Sequence, residues 1–254
     1  AVVFSSLIFL FLFVPACLIC YFLVPGLKAK NLVLVVFSLV FYAWGEPFYV
    51  LLLLASAAMN YFAGLLMGGC RRRGKSLKPV LVGTVALNLL ALGVFKYAAL
   101  AVTTLNELSG LALPVPQIAL PIGISFYTFQ AMSYVVDVYR DEVGVQRSYG
   151  KFLLYISLFP QLIAGPIVRY SDIEAQLEDR HASREDMFYG LIRFAVGLGK
   201  KILIADHCYT AVTQMLDGSL SSATTLGTWL GILMFTFQIY FDFSGYSDMA
   251  IGLG

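Results

Sequence analysis

Charge is scarce in this chain. Aspartate, glutamate, lysine and arginine together make up 13% of its 254 residues, against about 25% in a typical soluble domain. With 59% hydrophobic residues and a mean hydropathy of +0.82, this shortage excludes an ordinary water-soluble enzyme and indicates an integral membrane protein. The four cysteines, Cys17, Cys20, Cys70 and Cys208, are too scattered for a disulfide framework. Cys17 and Cys20 have CxxC spacing, but they lie in an apolar run with no second pair and no histidine nearby. They read as small core residues rather than redox or metal ligands. Histidine is almost absent: His181 sits among loop charges, and His207 follows Asp206 at a helix end. No His/carboxylate metal cluster and no Gly-x-Ser-x-Gly elbow is visible. The run Gly197-Leu198-Gly199-Lys200-Lys201 lacks the earlier glycine and the following Ser or Thr of a phosphate-binding loop. No metal, no resident cofactor and no nucleic-acid partner are expected.

Long apolar runs are abundant. Stretches of spanning or near-spanning length occur at about 2–25, 31–45, 47–69, 79–105, 118–138 and 222–242. Two more, 151–168 and 187–206, are short or interrupted. The first run has no basic leader and no small-residue cleavage site, so it is expected to stay as a span. Basic residues collect on alternate connections: Lys28 and Lys30; Arg71, Arg72, Arg73, Lys75 and Lys78; Arg140, Arg147 and Lys151. The intervening connections, Gly45-Glu46-Pro47 and Asn106 to Gln117, contain no Lys or Arg. The positive-inside rule then puts the basic connections in the cytoplasm and the N-terminus outside. Within 152–168, Pro160, Gly165 and Pro166 predict a broken or re-entrant segment, a backbone tolerated at membrane depth only when protein or a wet cavity surrounds it. Ser183 with Asp186 forms a helix-start pair, and a half-inserted helix is expected over Met187–Ala205. One all-α polytopic domain, 1–254, is expected.

Polar residues inside apolar runs are the candidate site residues. Gln130, Ser133, Tyr134 and Asp137 fall three and four apart, on one stripe of a helix. They either line a polar passage or hydrogen-bond between helices, and Asp137 alternatively pairs with Arg140 at an interface. Lys96, deep in its run, serves either structural pairing or function. The densest case is Gln238 to Gly254, where Tyr240, Asp242, Ser244, Tyr246 and Asp248 follow the apolar Trp229–Phe237. A charge at membrane depth costs at least about 2.5 kcal/mol, so each carboxylate needs a partner: Lys96, Arg193 or an arginine beyond this chain. Asp242 and Asp248 would point roughly 120° apart on one straight helix, and a bend at Gly245 would either bring both to one cavity or send one to the interface.

Several motifs occur together in order: Val3-Phe4-Ser5-Ser6, Phe41-Tyr42-Ala43-Trp44, Phe95-Lys96-Tyr97, Leu120-Pro121-Ile122-Gly123-Ile124-Ser125-Phe126-Tyr127, Asp137-Val138-Tyr139-Arg140, Leu162-Ile163-Ala164-Gly165-Pro166 and Tyr240-Phe241-Asp242-Phe243-Ser244-Gly245-Tyr246-Ser247-Asp248. In this combination the chain resembles the bacterial membrane-bound O-acyltransferase (MBOAT) family, in its alginate O-acetyltransferase membrane-subunit branch. The resemblance implies a ring of transmembrane helices around a funnel in the bacterial inner membrane. It implies acyl transfer from a cytoplasmic thioester donor such as acetyl-coenzyme A, outward to a polysaccharide or to a periplasmic polysaccharide-modifying partner protein. It also implies that the family's histidine lies beyond Gly254, so that this chain is about the N-terminal half, has no catalytic residue of its own and is inactive alone. Neither His181 nor His207 stands in the family's Trp-His context. Ser125, Tyr127, Gln130, Ser133, Tyr134, Gln161, Tyr240, Asp242, Ser244, Tyr246 and Asp248 are then candidates for funnel wall and substrate contact. Arg140, Arg169 and Arg71–Lys78 would attract a phosphorylated donor, although topology alone also accounts for the Arg71–Lys78 cluster. D-alanyl transfer to teichoic acid is the alternative within the family. A transporter or channel is the alternative outside it, and would call for repeat symmetry that the sequence does not show.

Overall fold

Apolar runs with few breakers become long helices because a backbone in lipid must satisfy its own hydrogen bonds. The computed structural model describes residues 5–110, 112–162, 168–180, 183–216 and 224–254, and every regular element among them is helical. In chain order these are α1 (Phe9–Leu23, opened by a π-helical turn at Phe9–Phe13), α2 (Leu27–Gly45), α3 (Val50–Arg72), α4 (Lys78–Ser109) and α5 (Ile124–Arg140). Then come α6 (Tyr149–Ser157), α7 (Phe159–Leu162), α8 (Tyr170–Glu178) and α9 (Arg184–Gly199). A π-helical stretch over Lys200–Ala205 leads into α10 (Asp206–Leu216), and α11 is Thr225–Leu253. Of these, α2, α3, α4 and α11 are long and apolar enough to cross a membrane. Their mostly lipid-suited exteriors carry Leu51, Phe62, Leu66, Leu90 and Leu233 on exposed positions.

The described residues group into two compact units, one drawn from 19–180 and the other from 1–18 and 181–254. In the first unit, α5 packs on α3 and α4, and α6 packs on α2 and α3. Its core is aromatic: Tyr134 lies 4.8 Å from the Phe152 ring and 5.0 Å from Tyr170, and Tyr155 lies 5.3 Å from Tyr170. Tyr134 fits because α3 has Gly64 beneath it, where a Cβ would come within 2.7 Å of the phenol oxygen. Between α3 and α4, Asn60 and Asn88 exchange side-chain amide hydrogen bonds of 3.1 and 2.9 Å in a fully buried pair. In the second unit, α11 packs along α9, the π-helical stretch and α10.

Three boundaries differ from the sequence expectation. The run at 118–138 becomes helical only from Ile124, because Pro121 and Gly123 (φ +75°) hold the preceding backbone out of the helix. That strap is pinned from outside: Tyr42 donates to the Ile122 carbonyl (3.0 Å) and Tyr49 to that of Ala119 (2.8 Å). The interruption expected within 152–168 falls at Leu158, between α6 and α7, and Ser38 accepts a hydrogen bond from the Phe159 amide freed there (3.1 Å). Gly165 and Pro166 lie outside the described residues, as does His181. The bend anticipated at Gly245 does not occur. Helix α11 continues through it to Leu253, since a single glycine costs only about 1 kcal/mol of helix propensity and packing supplies more.

Candidate functional site

The second unit is organised by glycines. A Cβ built on Gly190 would lie 2.6 Å from the carbonyl oxygen of Gly252, and one on Gly197 would lie 2.6 Å from that of Gly245. The reverse approaches, Gly252 to Gly190 and Gly245 to Gly197, are 2.5 and 2.7 Å. Each helix therefore presents two glycines seven residues apart, and α9 and α11 run antiparallel in backbone contact along that stripe. Helices in lipid gain no hydrophobic energy from meeting, so small residues that permit close packing are the means of association.

This close approach sets the charges. On α11, Asp248 accepts from Lys200 Nζ (2.6 Å) at one carboxylate oxygen and from Arg193 Nε (3.1 Å) at the other. Lys200 also donates to Ser244 Oγ at 3.1 Å. Nearly two turns towards the N-terminus of α11, Asp242 meets Lys201 Nζ at 2.7 Å, and Lys201 also reaches Asp206 at 3.2 Å. Lys200 and Lys201 are adjacent at the start of the π-helical stretch, so their side chains diverge around the helix and reach different carboxylates of α11. Asp248 is the more enclosed acid, its side chain 18% exposed against 44% for Asp242. The two carboxylates thus sit in adjoining but separate ion clusters, not in one cavity, as a straight helix requires. Arg193, one of the three candidate partners, pairs with Asp248, beside the shorter contact from Lys200. Among the described residues Lys96 pairs with neither acid; its Nζ lies 5.5 Å from the centre of the Tyr97 ring. Helix α11 has 29 residues, a length of about 44 Å, which exceeds the roughly 30 Å hydrocarbon core, so its polar C-terminal turns can reach an interface while the turns around Trp229–Phe237, about 14 Å, lie within that core.

The other polar candidates belong to the first unit and tie α5 to its neighbours. Gln130 is buried and donates to the Tyr155 carbonyl (2.9 Å) and to Gln161 Oε1 (3.3 Å). The Tyr155 hydroxyl donates to the carbonyl of Val168 (3.1 Å), bridging the interrupted segment. The Tyr134 hydroxyl accepts from the Gln146 amide (3.0 Å), and the Gln146 side chain donates to Tyr170 (2.7 Å). Ser133 bonds back to the Gln130 carbonyl of its own helix (2.8 Å). Tyr127 is buried beside the Tyr42 phenol, and Ser125 is half-buried on the first turn of α5. Asp137 is buried with one carboxylate oxygen unpartnered among the described residues, and Arg140 turns instead to Glu142 (3.8 Å). In the second unit Tyr240 is exposed, edge-on to Phe241, and Tyr246 is half-buried.

His207 is exposed at the start of α10, and its Nδ1 lies 3.1 Å from the Ile202 carbonyl. Ser183 and Asp186 do form the expected capping box, each accepting from the other's backbone amide (3.1 and 3.0 Å). The Ser183 hydroxyl and amide bonded to it hold the Asp186 carboxyl below its ordinary range. Sequence reading did not identify Lys200 and Lys201 as partners of the two acids, nor the glycines as an interface, and it treated Gly245 only as a bend. The seven-residue glycine spacing repeated on two apolar helices was the available signal.

The model of the membrane-bound O-acyltransferase family matches residues 85–254. A protein named "Probable alginate O-acetylase AlgI" from Pseudomonas aeruginosa is 41% identical over 263 aligned residues, covering 99% of this chain and 49% of the relative. The peptidoglycan O-acetyltransferase of Helicobacter pylori is 34% identical, covering 99% of this chain and 53% of the relative. The teichoic acid D-alanyltransferase of Bacillus subtilis is 25% identical, covering 52% of this chain and 34% of the relative. The chain spans about half the length of the first two relatives.

Proposed function

Because the chain belongs to the membrane-bound O-acyltransferase family, we propose that it forms part of a multi-pass enzyme of the bacterial inner membrane that moves an acetyl group outward. The donor is a thioester such as acetyl-coenzyme A on the cytoplasmic side. The acceptor is an exopolysaccharide, reached directly or through a periplasmic partner protein. The observation that carries this reading is the 41% identity to the alginate O-acetylase over 99% of this chain, against 25% over half of it for the D-alanyltransferase.

The chemistry divides the work. Attack of a hydroxyl on a thioester needs a base at the acceptor oxygen and donors at the developing oxyanion. Neither His181 nor His207 stands in the family's Trp-His context, and on that ground we assign the base to residues outside these 254. Here Asp248, Arg193 and Lys200 act as positioning residues that fix α9 against α11. The Gln130–Gln161–Tyr155 network keeps the interrupted α6–α7 segment in place. Arg140 and Arg169 supply positive charge that attracts the donor's phosphates.

The full-length reading frame, expressed with its native neighbours, should incorporate labelled acetyl groups into polysaccharide from acetyl-coenzyme A. The 254-residue chain alone should show no turnover above a mock preparation. Transfer of D-alanyl but not acetyl groups, or solute flux without transfer, would overturn the proposal. So would turnover by the isolated chain that His207→Ala abolishes.

A further inference from the structure

The C-terminal end of α3 carries a cleft that the acyl-transfer reading does not use. It has a volume of about 320 Å³ and is lined by Phe62, Leu65, Leu66, Gly69, Cys70, Arg73 and Lys75. The α3 residues in this set recur at helical spacing, so they form one face, apolar at Phe62–Leu66 and cationic at Arg73. From Phe62 to Arg73 the face is about 16 Å long. Gly74 (φ +61°) turns the chain back, and the Lys75 amide donates to the Cys70 carbonyl (2.9 Å), setting Lys75 beside Arg73 at the same end.

The two cations are unspent. Their neighbour Arg71 is engaged: it pairs with Asp141 and donates to the Val138 carbonyl at the end of α5 (2.7 Å). Arg73 and Lys75 are exposed and make no ion pair with any described residue. Gly69 leaves the middle of the cleft open, because a Cβ there would meet nothing within 4 Å. Phe62 and Leu66 are also exposed, on a helix apolar enough to cross the membrane. A cleft with an oily wall below, paired cations at the rim and a gap between matches one kind of molecule by both charge and polarity gradient.

We propose that this cleft holds an anionic phospholipid of the adjoining leaflet, with its phosphate between Arg73 and Lys75 and its upper acyl chain along Phe62, Leu65 and Leu66. Cationic residues at a membrane surface favour anionic lipid by a modest amount each, and a shaped cleft converts that diffuse attraction into a site. Gly69 is the position over which the lipid backbone passes.

The test uses the full-length protein in neutral detergent, titrated with phosphatidylglycerol or phosphatidylcholine and read by native mass spectrometry. One phosphatidylglycerol should be retained in preference to phosphatidylcholine. Arg73→Gln and Lys75→Gln should each weaken it about fivefold, the equivalent of one interfacial cation. Gly69→Leu should block it, while Lys78→Gln, an unpaired cation outside the cleft, should leave it unchanged. Should Gly69→Leu fail to fold, the two exposed cation variants still decide the matter. Equal retention of both lipids would overturn the proposal, as would an equal loss with Lys78→Gln. Displacement of the lipid by coenzyme A or glycerol phosphate at like concentration would assign the cations to a soluble phosphate instead, and would overturn it too.

Discussion

Substituting Gly197 by alanine tests the α9–α11 crossing most directly. The new Cβ would lie 2.6 Å from the Gly245 carbonyl oxygen, 2.7 Å from the Met249 amide nitrogen and 3.0 Å from the Asp248 Cβ. Ordinary carbon–oxygen approach is about 3.3 Å, so the helices must part by roughly 0.7 Å. Two of the three obstructing atoms are backbone and have no rotamer to move. Overpacking of this kind costs about 1–3 kcal/mol, which in a chain of this size lowers the unfolding midpoint by roughly 2–12 °C. The displacement would also stretch the Lys200–Asp248 and Arg193–Asp248 contacts that cross the same seam. Gly199→Ala is the internal control: it lies two residues away on the same helix and its Cβ would meet nothing within 4 Å. It should be neutral or, through helix propensity, slightly stabilising. Tryptophan fluorescence of the purified protein during a thermal ramp reads both variants, since Trp229 lies on α11. If Gly197→Ala and Gly199→Ala melt together, the backbones do not touch where the structure puts them, and the account of the seam fails.

Asp248→Asn in the full-length protein should lower folded yield more than Asp242→Asn, because it leaves Arg193 and Lys200 facing each other, whereas Lys201 keeps Asp206; size-exclusion profiles measure this. Asn88→Ala should cost about 1 kcal/mol by leaving the buried Asn60 Oδ1 without its donor, while Asn60 Nδ2 keeps the Ser56 carbonyl, and the Asn60→Ala/Asn88→Ala double variant should cost less than the sum of the singles in a thermal-unfolding cycle. The depressed carboxyl of Asp186 stabilises the start of α9 fully above its unfolded pKa and loses that effect as pH falls through its lower folded value; hydrogen exchange of the 183–190 peptide should therefore rise on acidification in the wild type, with Asp186→Asn showing no such step.

Much of the helical architecture was legible because it follows from hydropathy alone. Runs of apolar residues, Pro79 at the start of α4, and Ser183 with Asp186 at the start of α9 specify helices without reference to any neighbour. The polar stripe of α5 was legible too, as Gln130, Tyr134 and Asp137 do share the buried face. What stayed hidden depends on two segments at once. The pairing of Asp248 with Lys200 joins residues 48 apart in sequence, while the adjacent Lys201 turns to a different acid, Asp242. A one-dimensional pattern reports that a charge in an apolar run needs a partner, but not which cation can approach it. Leu158 illustrates the same limit: proline and glycine located the interruption to within a few residues, yet the actual break precedes Pro160, where Ser38 of α2 can serve the freed amide.

The glycine seam and the ion clusters depend on each other. Charges buried between two helices are costly unless their partners come within hydrogen-bond distance, and an exposed pair contributes at most about 1 kcal/mol. Close approach of α9 and α11 shortens those distances, and the glycines are what allow it. Conversely, glycine-to-glycine contact offers little sideways registry, since a surface without side chains can slide. The fork of Arg193 and Lys200 on the two oxygens of Asp248 supplies that registry, because a shift of one residue along the helix would separate at least one cation from its acid. On this reasoning, the sequence from Gly245 to Gly252 matters less for any single reactive group than for locking α11 at one depth and one rotation.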